Sequence, residues 1–457
     1  MQSNTTATSP FQISLNPLIY AAIFMATFAG CQGGRYYLAN RLQELGIACA
    51  LLLFVMGCWQ GFFRLSYREW KAWVVSPVLL LGGIIGISSV VFVLNYSGSV
   101  LFSAFSAREF LLAFMGPGIY LLVRCGLPLP QVERTIWCAL FALMVNYLVF
   151  YFTMDLRAAF FSSDHTVSNL VTYDAWRGFR LKPPLFAIMV ALLGSLALLF
   201  QSRGKAIKTA AIVSVALAAY IWSIVLFRST LATMILSVLL YPILLSHRTR
   251  LKLIVVAAPL AVLAIPVIGA IAAENFMEAD GGSIRAKAFL KALEHIALHP
   301  ILGAGEDSAY GLSYQDIVAK YFFPSDLGLV GVTYKYGIVG VLLYLTMHGK
   351  IWLRLWSANM DCRDTDGRIN PLLWGMFIFM TAQTFNLALN PGLAYAQGIT
   401  LGSLALALGS LHRMRCALAP SQNPPILEAS ETMTSTTTST ITSTMTNADA
   451  STVRPQA

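Results

Sequence analysis

The chain has 457 residues, of which 57% are hydrophobic and only 11% charged, with a formal net charge of +10. An ordinary soluble domain carries about 25% charged residues, so this composition argues against both a soluble globular enzyme and a disordered chain. The positive balance needs no nucleic-acid partner, because short basic loops between apolar runs account for most of it.

Those runs recur along almost the whole chain, and each has the roughly 18 residues or more needed to cross about 30 Å of hydrocarbon. They are continuous and rich in Leu, Ala and Val rather than alternating, and only helices or closed barrels satisfy the backbone in lipid. The expected fold is all-α: a polytopic integral membrane protein of about twelve transmembrane helices, with a large outward-facing loop before the tenth. In chain order the spans are expected near residues 15–32, 45–63, 73–96, 107–123, 135–153, 183–200, 209–227, 229–246, 253–273, 327–347, 371–389 and 395–411. Gly116-Pro117-Gly118 interrupts the fourth. Residues 1–14 carry no basic start of a cleavable signal, so the first run is expected to be a retained span.

Short-loop Lys and Arg set the orientation. One set of loops holds Arg64, Arg68 and Lys71, then Arg203, Lys205 and Lys208, then Arg248, Arg250 and Lys252, whereas the alternate short loops hold few. Both termini are therefore expected in the cytoplasm, with long loops near 154–182 and 274–326 facing outward. The membrane domain spans 15–415. Beyond it, residues 416–457 include Pro424-Pro425 and a Thr/Ser run from Thr432 to Thr446, too polar to offset chain entropy and expected to be a disordered cytoplasmic tail. The cysteines offer no outward pair for a disulfide and no metal-ligand spacing, so they read as packing residues.

The outer loop carries the chemistry-bearing residues. Ser283 follows Asp280-Gly-Gly as a natural N-cap for a helix to about Leu298, with Phe289, Leu293 and Ile296 on one face. Arg285 falls in its first turn, where free N–H groups already favour an anion. Spacing alone leaves open whether it binds one or is simply solvated. Arg228 sits between two apolar runs with almost no loop, so it either snorkels or faces a polar cavity. Asp326 opens the tenth span after Phe323-Pro324-Ser325, as a helix-start carboxylate or a functional one. Lys335 lies roughly 13 Å deeper at the helical rise and should line a cavity or meet a carboxylate. In the earlier loop Arg177, Arg180 and Lys182 either steer an acidic glycan or are solvated charges. Two further patterns carry little: Asp364-Thr-Asp366 reads as a solvated turn, and Gly303-Ala-Gly305 lacks the strand a dinucleotide fingerprint requires.

Taken in order, Arg228-Ser, Ser283-x-Arg285, Ala292-Leu-x-x-Ile296, Pro300-x-x-Gly-x-Gly305, Asp326 and Gly337-Ile-Val-Gly340 resemble the O-antigen ligase and polymerase superfamily of bacterial surface-polysaccharide enzymes. The likeness covers mainly residues 220–347. It implies a metal-independent, inverting glycosyltransferase without cofactor, acting on an undecaprenyl-diphosphate-linked oligosaccharide at the outer face of the bacterial inner membrane. It also implies membrane lipid as surroundings, and a chain-length regulator and a flippase as partners. Arginines at the positions of Arg228 and Arg285 would hold the donor diphosphate; Lys335, from its depth, and Arg177 and Arg180, from the loop charge, are expected as further substrate contacts. The family base is typically a histidine in His-Asn, where this chain has Asp326-Leu327. An ordinary aspartate, with a pKa of about 3.9, is a weaker base than histidine at about 6.5. That departure favours a polymerase over a ligase acting on lipid A-core, with a membrane transporter or glycan-lipid flippase as the reading from another class.

Overall fold

Segments that are apolar on every face must satisfy their backbone internally, and here they do so as helices. The computed structural model describes residues 10–37, 41–174, 178–201, 204–225, 282–307, 313–320, 322–362, 369–387 and 391–418. Its principal helices are α1 (Pro10–Gly30), α2 (Arg41–Gly61), α3 (Tyr67–Tyr96), α4 (Val100–Arg124) and α5 (Leu129–Thr153). After a hairpin come α6 (Leu185–Gln201), α7 (Lys205–Val225), α8 (Gly282–Leu298), α9 (Gly328–Asp361), α10 (Pro371–Asn386) and α11 (Ala396–Leu418).

Among the described residues, 6 helices are long and apolar enough to cross a membrane: the stretches Leu42–Gly61, Tyr67–Tyr96, Val100–Arg124, Leu129–Thr153, Lys205–Val225 and Pro324–Met360. Asn16–Gly30 and Leu185–Gln201 are apolar but shorter. Helix α10, with 16 residues, covers only about 24 Å at 1.5 Å per residue. The expected spans at 229–246 and 253–273, like the tail from residue 419 onward, lie outside the described residues.

Packing follows the small residues. Helix α2 lies against α1 and the second half of α4, α6 against α7 and α10, and α9 against α8 and α10. Gly116-Pro117-Gly118 is where α4 is crossed most closely: a Cβ on Gly116 would stand 2.3 Å from the Ser403 carbonyl oxygen, and one on Gly118 2.7 Å from the Leu53 backbone. That sequence interruption is thus a helix-crossing point, preceded by a 3-10 stretch at Ala107–Phe114. The main core includes Ile23, Leu53, Met115, Tyr147, Ile188, Phe377 and Leu404. By contrast Leu79 and Leu94 on α3 are exposed, as on a lipid-facing surface. Trp59, Phe63 and Tyr67 crowd the α2–α3 connection beside Arg64 and Arg68, the composition of a membrane–water interface.

The loop near 154–182, expected to face outward, is not wholly irregular. It contains an antiparallel hairpin, β1 (Val171–Asp174) and β2 (Gly178–Leu181), with Val171 opposite Leu181 and Asp174 opposite Gly178. Val171 and Leu181 are buried, so the hairpin is anchored at the end nearest the helices.

Candidate functional site

The site is organised by a break in α9. Gly337 has φ 62° and ψ −167°, outside the helical region, and interrupts the helix in mid-course. Such a break strands the Tyr334 and Lys335 carbonyls and the Ile338 and Val339 amides, which would otherwise bond to each other along the helix. The Pro300–Gly305 loop takes their places. Ala304 and Gly305 donate to the carbonyls of Tyr334 and Lys335 at 2.7 and 2.9 Å, while Ile338 and Val339 donate to those of Pro300 and Ile301 at 2.9 and 3.3 Å. Unpaired backbone is costly inside an apolar assembly, so this loop is what makes the break tolerable.

The glycines of this segment have steric reasons. Gly303 and Gly305 adopt φ of 74° and 91°. A Cβ on Gly303 would meet Gly337 N at 2.5 Å, and one on Gly305 would meet Phe92 N on α3 at 2.3 Å. Gly303-Ala-Gly305 is therefore a backbone wedge between α3 and the broken α9.

Glu306 follows that wedge and is carried into the interior, where it is 6% exposed. Its Oε1 accepts from Lys335 Nζ at 2.5 Å, its Oε2 accepts from the Tyr336 hydroxyl, and its backbone carbonyl accepts from Ser103. Lys335 thus faces a carboxylate, one the sequence reasoning did not single out. Neighbouring Asp307 accepts from Tyr314 N at 3.3 Å, and burial raises its carboxyl pKa above the ordinary range, with Lys335 opposing. Tyr314 donates to the Gly305 carbonyl, and Phe92, Tyr314, Phe322 and Tyr334 pack as an aromatic seat beneath it.

Helix α8 packs on α9 through its small residues rather than through Phe289 and Leu293. Ala288 and Ala292 are buried, with Ile296 partly so, whereas Phe289 and Leu293 are exposed by 41% and 42%. Small alanines let the helix lie close to Tyr334, and bulkier residues at those positions would hold it away. The pair Lys291–Glu294, at 2.7 Å, is a solvated i,i+3 contact of little energetic weight.

At the start of α9, Asp326 lies exposed in the 3-10 turn Pro324–Leu327. Tyr395, just before α11, donates its hydroxyl to the Ser325 carbonyl, and Asp326 acts electrostatically on both Tyr395 and Lys182. Residues 182 and 395, far from Asp326 in the chain, therefore both lie within its electrostatic range. Burial lowers the Lys182 pKa, nearby Arg35 lowers it further, and Asp326 works in the opposite direction.

Arg180 is buried and donates from Nη1 to the Val225 carbonyl at 3.2 Å, tying the hairpin to the end of α7. Arg177 and Arg228 lie outside the described residues, as does the side chain of Arg285, although its backbone belongs to α8; Asp364-Thr-Asp366 lies outside them too. Among the described residues no group of three His, Cys, Asp or Glu side chains is placed to hold a metal ion.

Sequence reasoning missed Glu306, Arg35 and Tyr395. Glu306 had a signal: a lone carboxylate directly after a glycine pair, in a loop leading to a span with one lysine. Arg35 and Tyr395 had none, because their significance rests on contacts 134 and 70 residues away in the chain. No family model matches this chain, and no curated protein is similar to it in sequence.

Proposed function

We propose that this chain is a membrane-embedded polymerase of surface or exopolysaccharide, transferring a growing glycan from its lipid diphosphate onto the next lipid-linked repeat unit. The observation that carries this reading is an exposed carboxylate, Asp326, within electrostatic range of the Lys182 ammonium at the start of α9. In the proposed step an acceptor hydroxyl oxygen bonds to the anomeric carbon of the donor. The carbon–oxygen bond to the diphosphate breaks, the lipid diphosphate leaves, and the hydroxyl proton passes to Asp326 and on to solvent. Cations stabilise the charge that develops on the leaving group, an electrostatic role suited to preorganised sites. The loop-stabilised break in α9 supports the reading by fixing the helix that Asp326 opens.

On this account the protein resides in the bacterial inner membrane with both termini cytoplasmic and the Asp326 end periplasmic, as the distribution of basic loops favours. The motif order from Arg228 to Gly340 supports membership of the O-antigen ligase and polymerase superfamily, with Arg228 and Arg285 on the donor diphosphate and Arg177 as a further contact, while Lys335 and Arg180 serve the scaffold through Glu306 and the Val225 carbonyl.

One observation favours a second reading. A helix broken in mid-span beside a buried Glu306–Lys335 pair is also a feature of secondary transporters. The test is the polysaccharide of a deletion strain complemented with wild type, Asp326→Ala or Arg285→Ala, with membrane insertion checked in each. Single repeats in place of long chains support the polymerase, and free lipid-linked polymer that never reaches lipid A indicates a ligase. Normal polymer from both variants rejects catalysis at this site and puts the transporter first.

A further inference from the structure

Arg35 lies between α1 and α2, in the 3-10 turn Gly33–Tyr36 that follows Gln32 in left-handed conformation. The turn is fastened to the segment carrying Lys182 by backbone and neutral groups. Tyr36 donates its hydroxyl to the Lys182 carbonyl at 2.8 Å, and Lys182 N donates to the Leu170 carbonyl at 2.8 Å. Gln397 bridges the same region, donating to Gln32 Oε1 at 2.9 Å while accepting from Phe186 N at 3.2 Å. Pro183-Pro184 then lead rigidly into α6. Two cations are therefore held near each other by scaffolding that owes nothing to their charge.

Their own valences are little used. A guanidinium has five N–H donors, and among the described residues the one hydrogen bond of the Arg35 guanidinium is a long 3.4 Å contact from Nη2 to the Asn169 carbonyl. Lys182 Nζ makes no ion pair or hydrogen bond among the described residues, and Asp326 acts on it only at longer range. Glu109, the carboxylate within electrostatic range of Arg35, has its Oε1 engaged by Gln43 Nε2 at 2.8 Å. Half-buried like charges held together without close counter-charges are unfavourable unless something negative joins them. A planar guanidinium beside a point ammonium suits an oxyanion, gripped by the first and neutralised by the second.

We propose that Arg35 and Lys182 form an oxyanion-binding site beside Asp326 that holds the second, acceptor substrate by a phosphate or carboxylate group. The inference rests on the glycosyltransferase reading for the word acceptor. The binding of an oxyanion by this pair stands on the geometry above. Two sources supply such a group: the diphosphate of a lipid-linked unit, or an acidic sugar within its glycan.

The purified full chain in lipid nanodiscs is titrated with farnesyl diphosphate and with digalacturonate, using farnesol and a neutral disaccharide as controls. Variants are Arg35→Gln, Lys182→Gln, the double change, and Lys182→Arg, each accepted only with the elution profile and melting midpoint of wild type. The expected result is binding of one charged probe and neither neutral control. Each neutralising change should weaken it about tenfold or more, with Lys182→Arg retaining most affinity. Raised salt should weaken it further. Preference for farnesyl diphosphate identifies the lipid phosphate, and preference for digalacturonate the acidic sugar. The proposal is overturned if neither probe binds wild type, or if the probe that binds wild type binds Arg35→Gln and Lys182→Gln as tightly. Binding lost in Arg285→Ala but unchanged by substitution at 35 and 182 would remove this site and leave the polymerase reading in place. Normal polymer from an Asp326→Ala strain would remove that reading and leave the titrations to decide this one.

Discussion

Substituting Gly337 by alanine tests the architecture of the site directly. Its φ of 62° with ψ of −167° is a region open essentially to glycine alone, and placing alanine there costs about 1–3 kcal/mol. The new methyl would also stand 2.1 Å from the Ile301 carbonyl oxygen, a separation no real contact permits, so the Pro300–Gly305 loop has to retreat. Losing two of the four backbone hydrogen bonds between loop and helix costs about 1–3 kcal/mol more, at about 0.5–1.5 each. The total is on the order of 2–6 kcal/mol. Gly349→Ala is the matched control: the same helix, nothing within 4 Å of the added Cβ, and an expected gain of up to about 1 kcal/mol from helix propensity. Reversible unfolding in mixed micelles, followed by circular dichroism, measures both. If Gly337→Ala unfolds within about 1 kcal/mol of wild type, the break is not held by the loop as described.

The buried pair should behave cooperatively. Lys335→Met alone is expected to cost about 3–5 kcal/mol by leaving buried Glu306 without its counter-charge, and the double variant Lys335→Met with Glu306→Leu to cost less than the sum of the two. A double-mutant cycle that comes out additive would show that the two do not interact. His295, packed edge-on to Tyr334, has its pKa lowered from 6.5 first by burial and then by His299, with Lys291 adding and Glu294 opposing. The fold therefore favours the neutral ring. Its contribution is present above pH 6.5 and lost as pH falls through the lowered folded value. Wild type should lose more stability than His295→Gln on acidification below that pH, and parallel pH profiles would refute the assignment.

What could be read from the sequence depended on range. Hydropathy located α3, α5 and α7, ending within two residues of the expected spans, because lipid imposes one local rule on every spanning segment. The depth of Lys335 required a cavity or a carboxylate, since a lone ammonium in an apolar helix has no other stable arrangement. Which carboxylate it meets was not legible, because Glu306 reaches it only through the turn that Gly303 and Gly305 permit. The face of α8 that packs on α9 was not legible for a related reason: large apolar residues signal an apolar face, but close approach to α9 selects Ala288 and Ala292. Arg35 and Tyr395 reach Lys182 and Asp326 through contacts that no periodicity encodes.

The most direct measurement of the central claim is reconstitution of the purified protein in liposomes with its lipid-linked repeat unit, resolving products by size. The account predicts a ladder of lengthening lipid-linked glycan with wild type, and none with an Asp326→Asn variant that folds normally. An undiminished ladder from Asp326→Asn would contradict it.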